Sequence, residues 1–394
     1  MTKKEEEILT GSQGEICSKL LRLLVKLGDS FGADKLIQIK SAHTVLNFGL
    51  HFVNAAAKIL NQVAKAGLKV KVRTSADPIV DMTYKDTLGN ISKLFVLQDQ
   101  LIRDLTDIGV KSFTCTPYYT DNCPNFGDHC AWAESSAVIY LNSVIGARSN
   151  REGGVIDIAS AVLGKTPNYG LHLKENRKGQ ILFKVPFKNW DTFDLTTIGL
   201  YIGETAGSKI PVIQGLEKMS TDDLKNLGAA SAASGAVALI HVVGRTPEAN
   251  TLEEAFQNDK PEEIIEIERA ILKEIKEKYS TEWSNPPRNI GIGCPQLSKD
   301  EVITILKKLK GKTILPEINF WICCCEEVRN EIKNSPYWEI VEQSGAKLAT
   351  LCPMLTPLPR PYITNSGKTC FYTSATYRSL DDCIRIATGG LNHA

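Results

Sequence analysis

The chain has 394 residues, 43% of them hydrophobic and 23% charged, with a formal net charge of +1. This is the composition of an ordinary globular protein with room for two or three cores. The balanced charge gives no electrostatic case for nucleic acid or an anionic membrane as partner; no apolar run is long enough to span a bilayer, and Met1–Glu7 lacks the apolar core of a signal peptide, so a cytoplasmic protein is expected.

In chain order, Glu15–Leu27 carries apolar residues at helical spacing and stops at Gly28. A second amphipathic stretch, about Phe48–Ala66, ends at Gly67 and leads into a predicted strand, Lys69–Arg73. A third helix, about Ile91–Ile108, ends at Gly109 before a predicted strand, Val110–Thr114. From Cys115 to about Lys188 the sequence reads as loop-rich, full of small and polar residues. The small-residue run in Leu227–Val243 suits close packing, and Thr251-Leu-Glu-Glu254 looks like a capping box. The charged segment Pro261–Lys278 reads as a solvated helix face linking two lobes.

The last section has the clearest pattern. Strands are predicted at Asn289–Gly293, Ile318–Ile322 and Lys347–Leu351, with helices opening at Ser298 and at about Glu326 between them. This is a βαβαβ unit, whose strands should be parallel with their carboxyl ends on one edge. The expected fold class is α/β, with an N-terminal part (1–110), a central loop-rich part (111–285) and the βαβαβ part (286–394).

Eleven cysteines without a secretory signal argue for reduced thiols, some of them ligands. Cys17, Cys123, Cys130, Cys370 and Cys383 are expected to be packed residues. With no CxxC pair and scattered histidines, a zinc site is disfavoured. Three cysteines stand apart, each ending an apolar run with proline within two residues: Phe113-Thr-Cys115-Thr-Pro117, Ile292-Gly-Cys294-Pro295 and Thr350-Leu-Cys352-Pro353. Proline stiffens such a turn, and Cys-Pro neighbours recur in iron–sulfur ligation. Three thiolates rather than four would leave one iron open as a Lewis acid toward a hydroxyl leaving group. Cys294, Cys352 and the run Cys323-Cys-Cys325 all fall at the same predicted edge, where ligands of open parallel sheets bind, so Cys324 and Cys325 are rivals on spacing alone.

Other motifs are weaker. Ser366-Gly-Lys-Thr369 resembles the end of a phosphate-binding loop, but Tyr362 occupies the place of its first glycine. It still offers a hydroxyl, an amide and a cation to an anion. Asn150-Arg-Glu152, between Gly146 and Gly153, suits carboxylate or phosphate, or a plain turn. His43, His129 and His241 lie near these stretches, and each alone reads as a buried histidine.

The stretches Phe113–Tyr118, Ala131–Ala137, Gly146–Gly154, Tyr169–His172, Ser234–Gly244, Gly293–Ser298 and Thr364–Lys368 resemble the large, catalytic part of aconitase X, and the resemblance covers nearly the whole chain. It implies an aconitase-like fold with parallel βαβ units around a cluster-binding cleft, and hydro-lyase chemistry on an anionic hydroxy acid. Members of that family dehydrate (R)-5-phosphomevalonate to trans-anhydromevalonate 5-phosphate, or cis-3-hydroxy-L-proline. It implies a [4Fe-4S] cluster, with [2Fe-2S] as the alternative nuclearity, on Cys115, Cys294 and Cys352. Ser366 and Lys368 fall at implied catalytic positions, and His43, Asn47, Asp77, Pro78, Glu134, Ser135, Asn150 and Arg151 at implied substrate-binding positions. The family's small swivelling domain has no counterpart in the sequence, so a separate small subunit is expected as partner. Two stretches depart from the family pattern: Thr44-Val-Leu-Asn-Phe48, and Ser75-Ala-Asp-Pro78, where Asp77 replaces an amide and would repel a phosphate. The alternatives are the same chemistry on hydroxyproline or another β-hydroxy acid, and a non-catalytic cluster-carrying subunit.

Overall fold

The computed structural model describes residues 1–46, 50–88, 92–280, 287–354, 356 and 362–390. Among them lie three parallel sheets. The first has the strand order Ser112–Phe113, Arg73–Ala76, Ser41–Thr44, Cys130–Trp132. The second runs Glu263–Glu266, Ile181–Lys184, Pro211–Gln214, His241–Val242. The third runs Lys347–Ala349, Asn319–Cys324, Asn289–Leu297, Tyr362–Thr364, Thr376–Tyr377. Parallel neighbours need crossover connections, and helices supply most of them, burying the sheet faces. Leu21, Leu105 and Val162 belong to the core beside the first sheet, Phe183, Ile198 and Leu227 to the second, and Ile290, Leu306 and Phe320 to the third.

The βαβαβ reading of the last section is what the structure has. Its first helix, Lys299–Leu309, is opened by a capping box in which Ser298 Oγ accepts from the Glu301 amide at 3.2 Å and the Ser298 amide donates to Glu301 Oε2 at 2.8 Å. The small-residue run forms most of the helix Thr221–Ser234. It lies so close to the helix Thr192–Ala206 that a Cβ on Gly199 or Gly203 would strike its backbone.

Three expected elements differ. The strand expected at Lys69–Arg73 begins at Arg73 instead and runs to Ala76. The amides of Val70 and Lys71 donate to Ile108 and Ala161, carbonyls at helix ends, so this stretch seals helices rather than pairing with a strand. The expected charged helix Pro261–Lys278 is split, with Glu263–Glu266 forming an edge strand before the helix Arg269–Tyr279. Ile265 is drawn into the core while glutamates line the open edge. The loop-rich reading of the middle section missed the helices Ser135–Tyr140 and Gly154–Leu163, whose small residues are buried. No helix among the described residues is long and apolar enough to cross a membrane.

Candidate active site

The carboxyl ends of the first and third sheets supply one buried polar cluster. From the first sheet come His43, Asp77 just beyond Arg73–Ala76, Cys115 just beyond Ser112–Phe113, and Glu134 just beyond Cys130–Trp132. The third contributes Cys294, Cys352 and, after Tyr362–Thr364, Ser366 and Lys368. All of these side chains are buried.

The three cysteines singled out in the sequence converge. Gly293 has φ +104°, and a Cβ there would collide with the Cys323 carbonyl, so only glycine allows the strand to turn and present Cys294. A hydrogen bond from Cys352 brings the Cys294 thiol down to about 7 against burial, helped by the Lys368 charge. The same bond, with burial, pushes Cys352 up. Burial and, after it, the Glu134 charge push Cys115 up. Cys323, Cys324 and Cys325 are wholly buried; Cys324 and Cys325 pack into the core of the third sheet and Cys323 into a small cluster beside it.

Glu134 is the N-cap of Ser135–Tyr140 and accepts from the Ala137 amide at 2.8 Å, Ser136 Oγ at 2.5 Å and Ser135 Oγ at 3.3 Å. Its remaining partner is the Lys368 ammonium, in an ion pair whose side chains are only 4% and 6% exposed. Burial would raise Glu134, but Lys368 and the hydrogen bonds hold it at about 2. Burial would lower Lys368, yet Glu134 and the nearby thiols raise it, so the pair is fully charged. Ser366 caps the short helix carrying Lys368 by accepting from the Thr369 amide at 3.1 Å, while its hydroxyl donates to the Cys294 carbonyl.

His43 sits between two partners, Nδ1 at 2.9 Å from Ser75 Oγ and Nε2 at 3.2 Å from Asp77 Oδ1. Asn122 donates to Ser75 Oγ at 2.8 Å and to the Ala42 carbonyl, fixing that side of the ring. Burial pushes Asp77 up against the pull of His43, and the Glu134 charge adds to the push. Two carboxylates in one pocket are therefore driven in opposite directions. Pro78, next to Asp77, is buried.

Two expected substrate-binding residues are otherwise engaged. Asn150 donates from Nδ2 to the Tyr169 carbonyl at 3.1 Å and accepts from the Leu171 amide at 2.8 Å. Arg151 is exposed and donates to the Ala232 and Gly235 carbonyls at 3.0 and 3.3 Å. Asn47 lies outside the described residues. A cavity of about 300 Å³ opens beside Cys294, Pro295 and Ser366, but Asp222, Asp223, Asp300 and Glu301 line it and make it a poor host for an anion.

Sequence reasoning missed Ser75, Asn122, Ser136, Asp81 and Gln296. Asp81 accepts from the Thr350 amide at 3.0 Å and from Arg329 at 2.7 Å, bracing the loop before Cys352. Among the described residues no three His, Cys, Asp or Glu side chains are disposed to hold a single metal ion. Three buried thiols on separate stiff turns suit an iron–sulfur cluster better, because each sulfur then binds a different iron.

Comparison with known proteins places the chain in a family. Models of the aconitase X first, second and third domains match residues 1–175, 179–277 and 288–389. The chain is 39% identical to the phosphomevalonate dehydratase large subunit of Thermococcus kodakarensis, over 98% of this chain and 97% of that protein. It is 38% identical to that of Methanosarcina mazei, over 99% and 97%. To cis-3-hydroxy-L-proline dehydratase of Pseudomonas aeruginosa it is 29% identical, over 99% of this chain but 70% of that protein. The crystal structure of Thermococcus kodakaraensis aconitase X, titled as the holo-form, superposes with a TM-score of 0.87 at 38% identity, covering 98% of this chain and 99% of that one. The chain belongs to the aconitase X family.

Proposed function

We propose that this chain is the large, catalytic subunit of a phosphomevalonate dehydratase, a hydro-lyase that converts (R)-5-phosphomevalonate to trans-anhydromevalonate 5-phosphate. The observation that carries this reading is the meeting of three buried thiols with the Glu134–Lys368 ion pair and the His43–Asp77 pair at the facing ends of two parallel sheets. Cys115, Cys294 and Cys352 would hold a [4Fe-4S] cluster, which when bound supplies a Lewis acid for the departing hydroxyl. Lys368 keeps its charge and attracts the substrate carboxylate, while Glu134 orients it. Asp77, pushed toward its neutral form, is the group able to give a proton to the departing hydroxyl so that it leaves as water. Glu134 at about 2 is too weak a base for a carbon-bound proton, and both His43 nitrogens are engaged. The acceptor of that proton is therefore assigned to a separate small subunit, in keeping with the "large subunit" names of the relatives.

The carboxylate at Asp77 does not disqualify a phosphorylated substrate, because it is buried against His43 and biased toward neutrality. The coverage favours the same side: this chain spans 97% of the Thermococcus and Methanosarcina phosphomevalonate dehydratase large subunits and 70% of the hydroxyproline enzyme. The test is an anaerobic assay of the complex with its small subunit, offering (R)-5-phosphomevalonate and cis-3-hydroxy-L-proline separately. Turnover of the first alone is expected. Turnover of the second alone would reassign the substrate, and a bound cluster with neither turned over would make the chain a non-catalytic carrier. In a cell the complex is expected in the cytoplasm.

A further inference from the structure

The hydrogen bonds around the cysteine centre pass through one neutral residue that the proposed chemistry does not use. Gln296, two residues beyond Cys294, is 0% exposed. Its Oε1 accepts from Thr114 Oγ1 at 2.7 Å and from the Cys115 amide at 3.3 Å. Its Nε2 donates to the carbonyls of Cys324 and Thr350, both at 3.0 Å. A side-chain amide can donate twice and accept twice, so every position is used. Its backbone amide also donates to Cys115 Sγ at 3.4 Å. One side chain thus joins the turn of Cys115, from the first sheet, to the strand-end carbonyl of Cys324 and to the residue two before Cys352. Thr114 is set for this by accepting from the Thr116 amide at 2.9 Å, which leaves its hydroxyl hydrogen for Gln296.

We propose that Gln296 is the positioning residue that sets the spacing of Cys115, Cys294 and Cys352, and that it thereby governs how firmly a cluster is held and at what potential it is reduced. The inference rests on the cluster reading above. A buried amide with four partners is costly to remove, since two carbonyls, a hydroxyl and an amide lose their partner together. Hydrogen bonds to a ligand sulfur tune a cluster's potential; the Gln296 backbone amide donates one to Cys115 Sγ, and the side chain's hold on the Cys115 turn sets the geometry of that bond.

The test uses Gln296→Met, which keeps the length and the backbone amide but removes the side-chain amide, and Thr114→Val, which removes the hydroxyl that bonds Gln296 and Thr116 and should fold even if the first variant does not. In cluster-free protein, alkylation of Cys115 followed by mass spectrometry should be about thirtyfold faster in Q296M, which frees the Cys115 turn of two bonds of about 1 kcal/mol each, and at least severalfold faster in T114V, with the remote Cys383 unchanged as control. In reconstituted protein, iron should be lost faster to a chelator and the cluster's reduction midpoint should shift, an effect a purely structural residue would not produce. Folded variants with wild-type alkylation, iron retention and midpoint would overturn the role of Gln296. A wild-type chain that takes up no iron would instead overturn the cluster reading, so the two failures are distinguishable.

Discussion

Removing Lys368 tests the buried ion pair most sharply. Both side chains are almost fully excluded from water, at 4% and 6% exposure, so solvent screening offers little relief. Lys368→Met leaves Glu134 with the Ser136 hydroxyl at 2.5 Å and the Ala137 amide at 2.8 Å as its main donors. Breaking a buried pair by deleting one partner costs about 3–5 kcal/mol, because the other charge is stranded. Replacing both partners with neutral residues of similar shape costs far less. Thermal unfolding of K368M, E134Q and the double variant should therefore show both single variants strongly destabilised, the double variant largely restored, and hence a coupling of about 5 kcal/mol or more, the sum of the two single costs less the small cost of the double. Activity should not follow stability: loss of a preorganised electrostatic group costs on the order of 10²–10³ in kcat, and the double variant stays at that level. A single variant as stable as wild type would refute the buried charged pair. A double variant with wild-type turnover would refute Lys368 as part of the site.

Cys115→Ala, Cys294→Ala and Cys352→Ala should each lose iron on anaerobic reconstitution, whereas Cys324→Ala, in the core, should keep iron and lose about 1 kcal/mol of stability; iron and sulfide analysis decides. Asp157 is fully buried, and none of the described residues donates to either carboxylate oxygen, so burial pushes it well above its usual range. The native state then holds a proton that the unfolded chain releases near pH 3.9, and stability falls as pH rises above that value, by up to about 1.4 kcal/mol per unit. Asp157→Asn should remove this slope, so its advantage in melting temperature should widen from pH 5 to pH 8; parallel curves would contradict it. Ser298→Ala, which opens the capping box after the Cys294 strand, should cost about 1 kcal/mol in thermal unfolding.

What the sequence could reveal depended on whether the relevant partners were close in the chain. The Cys-Pro turns are local, and the βαβαβ alternation places Cys294 and Cys352 on one edge without any knowledge of strand pairing. Capping at Ser298 is local too. The Glu134–Lys368 pair joins residues 234 positions apart and needs two sheets to face each other. His43 meets Ser75 only because their strands pair in that register, a fact no single segment carries. Gln296 lies within the stretch Gly293–Ser298, but an amide gains meaning only from its four partners. Asn150 and Arg151, polar residues between glycines, look like an anion site, and in the fold Asn150 Nδ2 and Arg151 Nη1 also donate to backbone carbonyls. The segment Lys69–Arg73 alternates like a strand but lacks a neighbour along most of its length.

In the proposed reading, Cys115, Cys294 and Cys352 hold a cluster with one iron left open to substrate. Mössbauer spectra of the iron-labelled complex, recorded with and without (R)-5-phosphomevalonate, test it most directly. One iron site should change on substrate addition while the others stay as they were. Iron sites that all ignore substrate, in a complex with its full complement of iron and sulfide, would contradict it.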